Sequence, residues 1–318
     1  MPVVPATSEN LDRAAALLRS GGVVAFPTET VYGLGANAFD ARAVARIFEI
    51  KARPAFDPLI VHVSDEAMLE RVAEDVPATA RALIQTFWPG PLTIVLRKRA
   101  ALGDLVTAGL PTVGVRMPAH PIARDLIERA GTPIAAPSAN PFGYLSPTQA
   151  AHVERMLGDR VDCIIDGGST KHGVESTIVM LEPRPVLLRH GAISVEAIEA
   201  AIGPLARELP DEVRPLAPGR LPQHYAPHTP IRIVGDPARV PQSEREGAAL
   251  LAFRTPVAGY RVVRVLSTAG DPREAGAHLF EYLHELDASG AVRIDAERVP
   301  MEGIGIAIMD RLQRAGSP

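Results

Sequence analysis

A chain of 318 residues with 47% hydrophobic residues has room for two domains or one large one around a real core. Its formal net charge of −4 excludes a surface that coats nucleic acid generally, while a local basic patch stays open. No apolar run approaches the ~20 residues that span a bilayer. MPVVPATSENLDRAA has neither the charged region nor the apolar stretch of a signal peptide. The single cysteine, Cys163, excludes an internal disulfide and fits a reducing cytoplasm, the expected location.

Leu11, Ala14, Ala15 and Leu18 recur at helical spacing and predict a first helix, closed by Gly21 and Gly22. GVVAF reads as a buried strand. Asp40 is placed to cap a helix whose core face is Val44, Ile47 and Phe48. LIVHV predicts a strand, residues 65–87 a helix, and PLTIVLR the next strand; TVGVRMP, PIAAP, DCIID, ESTIVML and PVLLR follow as strands. Ser146, Pro147 and Gln149 predict a helix start, with a capping serine, proline at the first helical position and a glutamine closing the box. Ser194 opens another helix that ends at Gly203. From Pro204 to Pro230 seven prolines fall in 27 residues, which excludes regular helix or sheet and reads as an extended connector or lid. Beyond it IRIV, GAALLAF, YRVVRVL and VRIDAERV predict strands. One helix starts at Asp271, with Pro272 at its first position and Glu274 closing the box, and the last lies in EGIGIAIMDRLQRA. Strands alternating with helices predict an α/β fold, with domains over 1–207 and 231–318 and the connector over 208–230.

The nucleotide-binding motifs with glycine loops are missing. No GxxxxGK[ST] occurs, and both Gly33-Leu-Gly35 and Gly303-Ile-Gly305 lack a third glycine. His224 and His228 are four apart, but proline-rich backbone does not set them one helical turn apart as a zinc pair. Lys51 is one of three lysines in a chain whose lysines and arginines total 33. With Arg53 it offers a compact charge beside a planar fork, which is what phosphate chemistry needs. The ordinary alternative is a solvated helix end that complements the helix dipole. Strand alternation places Thr112, Gly114 and Arg116 on one face, opposite Val113, Val115 and Met117. An open floor between a hydroxyl and a guanidinium suits a small carboxylate. His62 shares a face with Ile60, and Ser176 with Ile178; on their own these read as a core histidine and a strand-edge hydroxyl. Ser138 and Asn140, in PSAN, stand at a strand-to-loop exit, where open α/β sheets hold ligands and where turns also favour serine and asparagine.

Taken together, PTETVYGLG, KARPAFDPLIVHV, WPGPLTIVL, VGVRMP, PSAN with SPT, GVESTIV and LLRHG resemble, in order and spacing, the YrdC/Sua5 family, and the resemblance covers nearly the whole chain. HYAP at 224–227 and GIGIAIMDRL resemble its long, two-domain type. The resemblance implies a twisted mixed sheet around a large, positively charged concave cavity, with a smaller Rossmann-like second domain. It implies L-threonylcarbamoyladenylate synthesis from L-threonine, bicarbonate and ATP, with Mg2+ arriving on the ATP. The product would go to tRNA threonylcarbamoyl-transfer proteins that modify adenosine 37; whether tRNA binds directly is left open, and no membrane partner is implied. By resemblance Lys51, Arg53, Ser138 and Asn140 contact the ATP phosphates and the reacting centre. Thr30, Tyr32, His62, Arg116, Ser138 and Ser176 hold threonine, with Arg116 on its carboxylate. Asp57, Thr112, Ser146, Arg189 and Tyr225 complete the nucleotide side, Tyr225 as part of the lid. Departures are Ala52 for a usual glycine, Asp57 for a usual asparagine, Phe142 where a serine often follows PSAN, and a connector, APGRLPQHYAP, poorer in basic residues. An acid at 57 is unfavourable near phosphates unless magnesium or Arg53 offsets it. The competing readings are a double-stranded RNA or tRNA-binding module without turnover, and a carbamoyl-adenylate enzyme of the hydrogenase-maturation kind, whose extra domains are absent.

Overall fold

The computed structural model describes residues 3–206 and 224–316. The proline-rich connector therefore lies outside the described residues from 207 to 223, and only its end, from His224 onward, is seen.

Apolar and β-branched runs build one large mixed sheet in the first domain. Its strands lie in the spatial order Val3–Pro5, Cys163–Asp166, Val24–Pro27, Tyr32–Asn37, Ile134–Ala135, Ile60–His62, Thr112–Arg116, Leu92–Lys98, Thr177–Met180, Val186–Arg189, and Ala73–Glu74 pairs with Leu92–Lys98. Tyr32–Asn37 is a strand that the sequence pattern does not predict, because two of its six residues are glycine. It pairs antiparallel with Val24–Pro27. A Cβ on Gly35 would come within 2.6 Å of Phe26 and 2.7 Å of Ile134, so the glycine makes room for neighbouring side chains.

Helices cover the sheet. Asp40 caps Ala41–Lys51 as expected, its Oδ1 accepting from Arg42 N at 2.9 Å and Ala43 N at 3.2 Å. The helix expected over 65–87 is broken into Glu66–Val72 and Ala78–Phe87 by the edge strand Ala73–Glu74. Asp75 takes a left-handed turn there at φ 47°, and Pro77, without an N–H, stands before the second helix. The helix expected to start at Ser146 starts three residues later, as Ala150–Leu157 behind Gln149. Residues 146–148 are tied into the sheet region instead: Pro147 O accepts from Tyr32 N at 2.8 Å, and Thr148 O from Thr170 N at 3.0 Å.

The second domain is a four-stranded parallel sheet in the order Ile231–Val234, Ile294–Glu297, Ala249–Ala252, Val262–Val265. Helices Pro272–Asp287 and Ile304–Ala315 pack on it. Asp271 caps the first through Arg273 N, as expected, but Glu274 does not close a box: it accepts from Ser267 Oγ, which in turn accepts from Asp271 N at 2.9 Å.

The two domains share a core. Val31, Leu145 and Val174 join Leu279, Phe280, Leu283 and Ile308 in one buried cluster. Gly173, at φ 65°, lies so close to the helix Pro272–Asp287 that a Cβ there would be 2.2 Å from Gly276 O. No helix among the described residues is long and apolar enough to cross a membrane.

Candidate functional site

A cavity opens on the face of the central strands, where Ile60 and His62 from one strand and Arg116 from its neighbour point the same way. The alternation inferred from TVGVRMP holds: Val113 and Val115 are buried in the core and Arg116 faces the cavity.

One end of the cavity is built around Arg116. Its Nη1 donates to Thr30 Oγ1 at 2.9 Å, its Nη2 lies 2.6 Å from Glu29 Oε1, and its Nε donates to Gly90 O at 3.3 Å. Burial would raise the Glu29 carboxyl, but the charge and hydrogen bond of Arg116 outweigh it and hold Glu29 below the usual carboxylate range. His62 stands edge-on to Phe26, and its Nδ1 has no partner among the described residues. Burial, and then Arg116, push it down to about 3, so the ring is neutral. Ser176 exchanges a hydrogen bond with Thr93 at 2.8 Å and accepts from Arg189 Nη2 at 3.1 Å.

The other end carries Lys51, Arg53 and the PSAN loop. Lys51 Nζ donates to Ser138 O at 2.6 Å and to Asn140 O, so the lysine clamps the loop backbone. Burial and the neighbouring Arg53 push its amine well below the ordinary lysine range, against the pull of Asp57. Arg53 pairs with Asp57 at 2.9 Å and donates to Asp57 O at 3.1 Å and Pro58 O at 2.8 Å. The acid at 57 is thus neutralised by Arg53, as one of the two sequence expectations had it. Burial raises the Asp57 carboxyl, opposed by Arg53, Lys51 and Arg189. Asn140 donates to Pro141 O and Tyr144 O, both at 2.9 Å, leaving its Oδ1 without a partner among the described residues.

His224 and Tyr225 form a wall. Tyr225 has φ 63°, a left-handed conformation rare for a side chain of this size, and its ring lies 4.1 Å from His224 and 5.6 Å from Phe280 between centroids. Phe142 packs edge-on against His224 at 5.8 Å, and the Arg53 guanidinium lies 5.9 Å from its ring.

Ten of the candidates from the sequence therefore meet at this cavity, and four do not. Tyr32 does not line it: strand alternation turns its ring to the opposite side from Gly33, and its hydroxyl donates to Gly168 O at 2.8 Å and accepts from Gly167 N at 3.1 Å. Asp57 sits behind Arg53. Thr112 is on the Arg116 face but about 13 Å along the strand, where it borders two adjoining hollows with Val95. Ser146 is buried behind Glu175 and donates to its Oε1 at 2.6 Å. Residues that sequence reasoning missed are Thr28, Glu175 and His224. Glu175 precedes Ser176 and by strand alternation would face away from it; the strand starts only at Thr177, so both reach the cavity.

Buried around the cavity are Lys51, Arg53, Arg116, Arg189 and Arg311 against Glu29, Asp57 and Glu175, so cations outnumber carboxylates. Such an arrangement binds anions in a site shielded from water. No group of three or more histidines, cysteines or carboxylates among the described residues is placed to hold a metal ion.

A family profile described as telomere recombination, that of Sua5, YciO and YrdC, matches residues 16–191. A second, described as threonylcarbamoyl-AMP synthase, C-terminal domain, matches residues 193–317. The threonylcarbamoyl-AMP synthase of Pyrococcus abyssi is 44% identical, over 95% of this chain and 92% of its own. That of Bacillus subtilis is also 44% identical, over 95% of this chain and 92% of its own. The crystal structure of P. abyssi Sua5 complexed with L-threonine matches with a TM-score of 0.89 at 42% identity, covering 98% of this chain and 95% of that one. The matches run through both domains, and the chain belongs to the Sua5 family in its two-domain form.

Proposed function

We propose that this chain is an L-threonylcarbamoyladenylate synthase, joining L-threonine, bicarbonate and ATP and releasing pyrophosphate. The observation that carries the reading is one buried cavity with a neutral histidine, hydroxyls and an arginine at one end and lysine and arginines at the other. The likeness to a Sua5 that holds L-threonine supports the amino acid as substrate.

In this reading the threonine carboxylate meets the Arg116 guanidinium, sharing it with Glu29 and Thr30, and Ser176 contacts the amino acid beside it. Neutral His62 offers a hydrogen-bond acceptor without placing a second positive charge beside the amine. The amine nitrogen attacks the carbon of bicarbonate, with loss of water, to form a carbamate. A carbamate oxygen then attacks the α-phosphorus of ATP, and the bond to pyrophosphate breaks. Charge on the phosphates is met by Arg53 and Arg189, while Lys51 acts through the loop that carries Ser138 and Asn140. Burial serves the labile carbamate, which water would destroy. Magnesium fits as an ion carried in by the ATP phosphates, since the cavity carboxylates are each paired with an arginine. The product then passes to tRNA-modifying proteins. A concave site walled by buried side chains takes small molecules, not an RNA duplex.

Purified protein with ATP and magnesium should release pyrophosphate only when both threonine and bicarbonate are added. Absence of release, with a related synthase active in the same assay, would sink the reading.

A further inference from the structure

The second domain reaches the first through one fully buried cation. Arg311 lies in helix Ile304–Ala315, 136 residues along the chain from Glu175, and is 0% exposed. Its Nε donates to Glu175 Oε2 at 3.0 Å, and Glu175 Oε1 accepts from Ser146 Oγ at 2.6 Å. Its guanidinium carbon lies 5.2 Å from the centre of the Tyr225 ring. Glu175 and Tyr225 both line the cavity. Asp310 pairs with the Nη1 of Arg311 at 2.8 Å, and Nη2 has no hydrogen-bond partner among the described residues.

A carboxylate this deeply buried needs a cation to stay ionised. The charged groups facing Glu175 are Arg311 from the second domain and Arg189 from the sheet, with Tyr225 beyond. Burial would raise its carboxyl; Arg311 first, then Arg189 and Ser146, lower it below the usual range. An ionised Glu175 accepts the hydrogen bond of the Ser146 hydroxyl, so the Ser146 oxygen presents only lone pairs to anything else. A protonated Glu175 would lose both the pairing and that orientation.

We propose that Arg311 is a positioning residue of the synthase site, by which the second domain holds Glu175 as a carboxylate at the cavity wall, with Ser146 oriented behind it, and backs the Tyr225 ring on the nucleotide side. The domain interface is then part of the catalytic apparatus and not only a means of attachment. This rests on the proposed synthase activity for its kinetic consequence, but not for its electrostatic one.

The test uses three full-length Arg311 variants, Arg311→Met, Arg311→Lys and Arg311→Met/Glu175→Gln, with Glu175→Gln alone beside them. The first readout is a pH titration by difference infrared spectroscopy without substrates. Arg311→Met should gain one buried carboxyl that takes up a proton at higher pH than in the parent, and Glu175→Gln should remove it. The second readout is steady-state pyrophosphate release. In Arg311→Met the KM for ATP should rise about tenfold to a hundredfold on the acid side and recover as pH rises, with the KM for threonine little changed. Arg311→Lys should keep the parent profile, and the double variant should show a flat one. Equal loss at every pH in all three proteins, or no added carboxyl titration, would overturn the proposal and leave Arg311 as packing alone. If the parent releases no pyrophosphate, the synthase reading fails while the infrared readout still decides the charge relation. If Arg311→Met does not fold, Glu175→Gln and the double variant carry the test: they should fold alike with flat profiles, and a double variant that stays unfolded overturns the proposal.

Discussion

Lys51 is 1% exposed, and its amine spends two donors on carbonyl oxygens of the loop that carries Ser138 and Asn140. From the sequence it reads as a phosphate contact. Its burial changes that expectation. Replacing it with alanine strips a hydrogen-bond donor from two buried carbonyls and opens a void under the loop, each effect being of order 1–3 kcal/mol. Lys51→Ala should therefore lose about 3 kcal/mol of stability in urea unfolding and most of its turnover. Parent-like stability with activity lost would return Lys51 to the role of a direct ligand contact. Arg53 shows the same economy of charge: one fork holds Asp57 and two carbonyls and still borders the cavity.

At the scale of elements, strands with apolar alternation were legible because one face must be buried; LIVHV, PLTIVLR and TVGVRMP fall in place and carry His62, Thr93 and Arg116 to one surface. Tyr32–Asn37 was not legible, since its glycines answer to Phe26 and Ile134, which are distant or out of pattern. Ser146 carries a capping signature, yet Glu175 and the backbone partners of Pro147 and Thr148 compete for the segment and win. Glu175 and Arg311 could not be paired by any local rule. Ala52 shows how a departure in sequence becomes a structural cost. It ends helix Ala41–Lys51 in the left-handed region at φ 50°, where a Cβ is strained and the resembled family has glycine. Ala52→Gly relieves that strain at some expense in unfolded-chain entropy, and should raise stability by about 0.5–1 kcal/mol. Rates should stay within about fivefold, because even the whole of that change placed on a barrier is no more than this factor. A lower urea midpoint would mean that the strain is taken up elsewhere.

Across the whole molecule, the interface between the domains couples folding to pH through two histidines. The rings of His152 and His284 lie 4.1 Å apart, one from each domain. His284 Nε2 donates to Ser146 O at 3.1 Å while its Nδ1 accepts from Arg155 Nη2 at 3.2 Å, a pattern that only the neutral ring fulfils. Burial, and then His152 ahead of Arg155, push His284 down to about 3; burial, and then Arg155, push His152 down to about 4, from an ordinary value of 6.5. In the unfolded chain both take up protons near pH 6.5, whereas in the fold they do not until far lower pH. The unfolded state therefore binds more protons between these values, and stability falls as pH drops through that window, by up to about 1.4 kcal/mol per pH unit for each ring. Glu29 and Glu175 are held below the usual carboxylate range, so their contribution is lost only at more acid pH. His62 shares the histidine window but lies in the first domain alone, so a comparison of variants separates it. His152→Asn/His284→Gln should lose about 3 kcal/mol less than the parent protein between pH 6.5 and pH 5 in urea unfolding. An equally steep loss in the double variant would assign the acid sensitivity to groups outside the interface.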